Sequence, residues 1–211
     1  MDIMSVYKRA QNDKAILTIE YDYDDRGPRF DSEHLGSMVF WHRRYSLGDE
    51  HEYKDGNDFF IKLLKEMGRS ERTLYRMNSR QELFKVLETE YVILPVYLYD
   101  HGNLTISTTP FHCPWDSGQI GYVYVSNKKI REEYDVKRIT KNLRLQVLSI
   151  LQNEVEIYDH YLRGDVYKFI LKDLDGKIID SSDGFYGSNH HTNGIAECIS
   201  IEYEDLIKEI G

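Results

Sequence analysis

Between residues 91 and 126 the chain alternates runs of β-branched and aromatic residues with tight polar turns, a pattern that commits this region to sheet. Residues 91–99 are rich in Val, Ile, Leu and Tyr around a single Pro95 and run into Asp100-His101-Gly102-Asn103. There Gly102 supplies the positive φ of a turn, so residues 104–108 are expected to return as a hairpin partner. The loop 109–118 holds Pro110, Pro114 and Gly118, which disfavour regular structure, and residues 119–126 alternate as a strand again. Asp100, His101, His112, Cys113, Asp116, Ser117 and Gln119 should therefore gather at one sheet end, and loops held on a rigid sheet commonly carry binding and catalysis. The plainer structural expectation has Asp100 and Asp116 capping turns, Cys113 as a small buried apolar residue and Trp115 filling the core.

Elsewhere the periodicity changes. Residues 1–13 are expected to be a flexible lead-in, followed by a strand over 15–21 and an acidic turn holding Glu20, Asp22, Asp24 and Asp25. Gly27-Pro28 breaks the chain, and residues 35–41 form an apolar strand that ends in His42-Arg43-Arg44-Tyr45. If the strand continued, Arg43 and Arg44 would point to opposite faces. Apolar residues at 59, 60, 63, 64 and 67 predict an amphipathic helix, with Asp55 or Asn57 as N-cap and Gly68 as its stop. A solvated connection follows over 69–78, and Ser79 with Glu82 opens a second helix as a capping box. A short helix is expected over 127–134 and a long one over 137–162, ended by Gly164. Residues 166–171 and 177–179 should form a hairpin across Asp175-Gly176, residues 180–194 a polar loop, and residues 195–210 a C-terminal helix.

These elements predict an α+β fold with a mostly antiparallel sheet and several covering helices, organised as a single domain over 14–211 behind the lead-in. With 41% hydrophobic and 13% aromatic residues, the chain is expected to be globular throughout. Its 27 basic and 36 acidic residues give a formal charge of -9, which opposes loose association with a nucleic-acid backbone or an anionic membrane. The two cysteines, Cys113 and Cys198, have no CxxC partner, so neither a disulfide framework nor a cysteine-rich zinc site is expected. No stretch approaches the length of a membrane span and residues 1–14 lack an apolar core, so the expected location is the cytoplasm.

Three chemistries fit the residue types. One makes Cys113 a nucleophile, with His101 or His42 as base, Asp100 or Asp116 as orienting carboxylate and Gln119 as oxyanion donor. Pro114 removes one backbone N–H that an oxyanion hole could use. The second is a metal site drawn from His42, Asp100, His101, His112 and Cys113, although no HExxH or paired CxxC supports it, and neither a metal nor another cofactor is expected. The third is a protein-binding surface built on Trp41, Arg43, Tyr45, Trp115 and Tyr186, because Trp, Tyr and Arg dominate the energetics of interfaces.

Residues 35–51 (LGSMVFWHRRYSLGDEH), 94–126, 155–169 (VEIYDHYLRGDVYKF) and 180–187 (DSSDGFYG) together resemble a family of small proteins encoded by phages, prophages and plasmids, chiefly in Gram-positive bacteria. Its most distinctive portion is Asp100-His101 followed by Cys113-Pro114-Trp115-Asp116-Ser117-Gly118-Gln119. The family transfers no catalytic residues. What the resemblance implies is a setting, a mobile genetic element, in which small acidic proteins often inhibit host defence, anti-CRISPR proteins among them. The expectation is a non-enzymatic inhibitor that binds a bacterial defence protein such as a Cas nuclease, Cas9 among them, in the host cytoplasm, with no direct nucleic-acid binding. A Cys113-dependent or metal-dependent hydrolase is the alternative.

Overall fold

A computed structural model describes residues 6–23, 27–30, 33–77 and 79–210. Asp24 and Asp25 of the expected acidic turn, Asn78 of the expected connection and residues 1–5 of the lead-in lie outside the described residues. The fold is α+β, with two antiparallel four-stranded sheets and covering helices. The chain divides into two compact units, Met1–Phe30 with Ile157–Gly211, and Asp31–Glu156.

The first unit holds strands β1 (Val6–Gln11), β2 (Ala15–Tyr21), β7 (Val166–Asp173) and β8 (Ile178–Tyr186), paired in that spatial order. Part of the expected lead-in is thus a strand. Its charges, Lys8 and Arg9, hide a register in which Ala10 is buried and Val6–Gln11 runs antiparallel to β2. The expected polar loop after residue 180 is likewise strand as far as Tyr186, because the backbone of β8 pairs with β7 although its side chains are mostly exposed. The core of this unit packs Leu17, Ile19, Phe169 and Leu171 with Ile195, Leu206, Ile207 and Ile210. The C-terminal segment is not one helix. It breaks into Ile195–Cys198, a single 3-10 turn at Ile201–Tyr203 and Glu204–Ile210, because Ile199 adopts an extended backbone.

The second unit carries β3 (Ser37–Phe40), β4 (Tyr91–His101), β5 (Asn103–Ser107) and β6 (Ser117–Ser126), in the order β3-β6-β4-β5. Pro95 stands in β4 without breaking a ladder. It lies opposite Tyr122 of β6, while β5 pairs with β4 only from Tyr97 onward, so the missing N–H falls where β4 has one neighbour. Helix α1 (Gly56–Glu66) is capped by Asp55, which accepts from Asn57 N and Asp58 N. A four-residue helix, α2 (Arg72–Tyr75), interrupts the expected connection, and α3 (Arg80–Leu87) is capped by Ser79, which accepts from Glu82 N at 3.3 Å. These helices lay Phe59, Phe60, Leu63, Leu64, Leu83 and Leu87 on Val39, Tyr91, Ile93 and Tyr122. Helix α4 (Asn127–Glu133) follows β6 directly. The long helix α5 (Lys141–Arg163) begins four residues later than the spacing predicts, with Thr140 Oγ1 accepting from Leu143 N at 3.2 Å. The division between units falls inside it, after Glu156.

Candidate functional site

Three segments of the second unit converge. The first is the end of β4, which carries Asp100 and His101 into the turn at Gly102, where φ is 89°. The second is the loop 108–116 with the start of β6, carrying Cys113, Trp115, Asp116, Ser117, Gly118 and Gln119. Asp100 N donates to Asp116 O at 2.9 Å, and Ser117 Oγ donates to Cys113 O, so the loop is tied to the sheet at both sides of Trp115. The third is the segment after β3. Trp41 N donates to Ile120 O at 2.8 Å, and Asp49 N donates to Met38 O at 2.9 Å, which folds residues 42–48 into a closed loop. Met38 N returns a bond to Asp49 Oδ2 at 2.8 Å.

The carboxylates have separate duties. Asp100 accepts from the Arg44 guanidinium. Asp116 Oδ2 lies 3.2 Å from His101 Nδ1 and 3.7 Å from Cys113 Sγ, so imidazole and thiol address the same oxygen rather than each other. His101 also stacks on Tyr99, with 5.9 Å between ring centroids, and Tyr99 meets Phe111 at 5.7 Å. Among the described residues the Cys113 thiol faces the Asp116 carboxylate and no imidazole, the partner a thiol nucleophile uses as its base. Gln119 is also occupied: its Nε2 donates to Gly121 O at 3.2 Å, and its Oε1 lies 3.5 Å from Arg80. Arg80 donates to the Tyr122 hydroxyl at 3.0 Å. Burial raises the Tyr122 phenol above its ordinary value, while Gln119 and Arg80 oppose the shift.

The metal candidates do not assemble: among the described residues no three His, Cys, Asp or Glu side chains are grouped to hold an ion. His112 is exposed, and His42 Nδ1 accepts from Arg44 N and Tyr45 N at 3.4 and 3.3 Å.

The aromatic candidates divide. Trp115 does not fill the core; it is 91% exposed. Tyr45 is exposed, stacks on His42 at 4.9 Å with 9° between the planes, and carries the Arg44 guanidinium 5.5 Å from its ring centroid. Arg43 is exposed beside them. Trp41 is half-buried, with its indole N–H donated to Tyr53 O at 3.0 Å and its ring against Phe59 and His51, so it is a wall of the site. Tyr186 is a half-buried residue of β8 in the other unit.

Two residues that matter here escaped sequence reasoning. Arg44 was legible only as one of two adjacent arginines, and nothing in the sequence pairs it with Asp100, 56 positions away. Gly118 looks like an ordinary turn glycine, yet it lies within β6 without positive φ, and a Cβ there would meet nothing within 4 Å. No protein-family model, curated protein or solved structure matches the chain, so the site is read from its own chemistry.

Proposed function

We propose that this chain is a protein-binding inhibitor that docks through the face around Trp115. Its partner is a bacterial defence nuclease of the Cas type, the class implied by the resemblance to phage-borne and plasmid-borne proteins. One observation carries the docking: a tryptophan 91% exposed on a loop that two hydrogen bonds tie to the sheet. A large apolar ring carried on backbone already fixed to the sheet loses less conformational entropy on association than one on a free loop, and tryptophans buried at interfaces are among the commonest energetic anchors. Arg43, Arg44 and Tyr45 supply the polar and aromatic rim. The overall charge of -9 favours approach to a basic surface, as nucleic-acid-handling proteins carry.

The hydrolase alternative has one observation on its side, the Asp116 carboxylate shared by Cys113 and His101. The two readings separate in one experiment. The tagged chain is mixed with a purified Cas nuclease–guide complex, with Trp115→Ala and Cys113→Ser in parallel, and scored for stoichiometric capture and nuclease inhibition. The expected result is equimolar inhibition by wild type and Cys113→Ser, weakened at least tenfold by Trp115→Ala. Inhibition that is catalytic, or that disappears in Cys113→Ser, overturns the binding reading in favour of the enzyme. No capture of any Cas complex overturns the partner assignment.

A further inference from the structure

Residues 187–194 of the first unit leave the sheet at the end of β8 and lead into the short helix Ile195–Cys198. The segment is closed on itself. Asn193 Nδ2 donates to Gly187 O at 2.8 Å, Asn189 O accepts from Thr192 N and Asn193 N at 3.0 and 2.9 Å, and Asn189 Oδ1 accepts from His191 N at 3.1 Å. Both ends are glycines in the left-handed region, with φ of 96° at Gly187 and 100° at Gly194. A short loop whose ends are tied together and whose hydrogen bonds are largely internal can move as one piece about such ends.

One side chain holds the middle of the piece down. From Ser188 to Asn193 only His190 is buried, at 3% exposure. Its ring stands edge-on to Tyr7 of β1 and Tyr167 of β7, at 75° and 79° to their planes. Neither ring nitrogen has a hydrogen-bond partner among the described residues. The other ties to the unit lie at the two ends, where Gly187 N donates to Asp165 O at 2.9 Å and Ala196 N to His190 O at 3.2 Å. A phenylalanine would fill such a slot without the cost of burying two unpartnered nitrogens. What imidazole adds is a charge that appears with acid.

The slot is hostile to that charge. Lys8 on β1 and His191 within the segment both oppose it electrostatically, and Lys8 is fixed there, its Nζ donating to Ile210 O at 2.9 Å. Tyr7 and Tyr167 face the ring with phenols, and burial pushes the Tyr167 phenol further from ionising. No carboxylate accepts from either ring nitrogen among the described residues. At the Gly187 end the titratable groups are His160, whose Nε2 would lie 3.1 Å from a Cβ on that glycine, and Asp165, whose Oδ2 is 3.7 Å from His160 Nδ1. A positive charge on His160 therefore has its counter-ion, and one on His190 has none.

We propose that residues 187–194 form an acid-released latch: charging His190 expels its ring from between Tyr7 and Tyr167, and the segment swings out about Gly187 and Gly194 while the sheet stays folded. Burial holds the closed ring's pKa at about 4 against 6.5 in water, so each pH unit below 6.5 favours the open form about tenfold more, to a limit of about 300-fold. The latch does not rest on the docking reading.

The full chain, isotopically labelled, is followed by NMR from pH 7.5 to 4, with His190→Phe and His191→Gln in parallel. Wild type should lose the nuclear Overhauser contacts from His190 to the Tyr7 and Tyr167 rings. The exchange protection of the Ala196 amide, which is bonded to His190 O, should fall about tenfold per pH unit while the amides pairing β2 with β7 keep theirs. His191→Gln should still open, and His190→Phe, which fills the slot without titrating, should stay closed to pH 4. If His190→Phe does not fold, the wild-type ring contacts and the two sets of amides decide alone. Ring contacts and Ala196 protection that persist to pH 4, segment and sheet losing protection together, or release of His190→Phe at the same pH as wild type overturns the proposal.

Discussion

Gly121 shows how tightly one residue can constrain the sheet that carries the site. A Cβ at this position would lie 2.0 Å from Val39 O and 2.8 Å from Phe40 Cα, both backbone atoms of the strand that pairs with it. Neither can swing aside as a side-chain tip would. Gly121→Ala must therefore displace β3, and overpacking of this kind costs about 1–3 kcal/mol or more; urea denaturation should show the lowered midpoint. His190 offers a second test at the same scale. It is 3% exposed, both ring nitrogens lack a hydrogen-bond partner among the described residues, and its ring meets Tyr7 and Tyr167 at 5.7 and 5.9 Å. Burial, reinforced by the charges of Lys8 and His191, pushes its pKa down from 6.5 to about 4. The folded state thus disfavours the charged ring. The stability this group contributes is complete above the unfolded value near pH 6.5 and is lost as the pH falls toward 4, by at most about 3 kcal/mol. His190→Phe should flatten the pH dependence of stability between pH 6.5 and 4 relative to wild type, and an unaltered slope would show that other groups set it.

At the scale of elements, helix caps give the cleanest expectation. Asp55 Oδ1 accepts from Asn57 N and Asp58 N, both at 2.9 Å, and α1 supplies Phe59, Phe60, Leu63 and Leu64 to the core. Asp55→Ala should lower stability by about 1 kcal/mol, measured by denaturant unfolding, while Asp55→Asn should retain most of it. Caps of this kind are readable from sequence because donor and acceptor lie within three residues of each other, and the apolar stripe of α1 is equally local. Other elements leave no such trace. Seven of the nine residues of β8 are exposed, so no alternation marks it, and only pairing with β7 makes it a strand. In the C-terminal segment Ile195, Ile199, Leu206 and Ile210 keep a helical phase across the break at Ile199, so periodicity cannot register that the helix stops. The site was legible to the same degree. Its gathering at one sheet end follows from turns and strands, whereas the exposure of Trp115 and the ties from Arg44 to Asp100 and from His101 to Asp116 depend on contacts between segments distant in sequence.

For the whole molecule, the two units differ in how the chain supplies them. Asp31–Glu156 is one continuous stretch that holds a complete sheet, β3-β6-β4-β5, and its own core around Phe59, Phe60, Leu63, Leu64 and Tyr122. The other unit is assembled from Met1–Phe30 and Ile157–Gly211, and its sheet places β2 between β1 and β7, so neither stretch can complete it alone. Folding autonomy follows from possession of a closed core rather than from length. A fragment spanning residues 31–156 should therefore fold alone, with dispersed amide resonances and a single cooperative thermal transition. It should also keep the Arg44–Asp100 and His101–Asp116 pairs, since all four residues belong to it. A fragment spanning residues 157–211 should stay unfolded until a chain spanning residues 1–30 is added, because β7 then lacks the β2 strand on which its register from Tyr167 to Asp173 depends. A 31–156 fragment that binds a hydrophobic dye and melts without a transition would show that its core needs the rest of the chain.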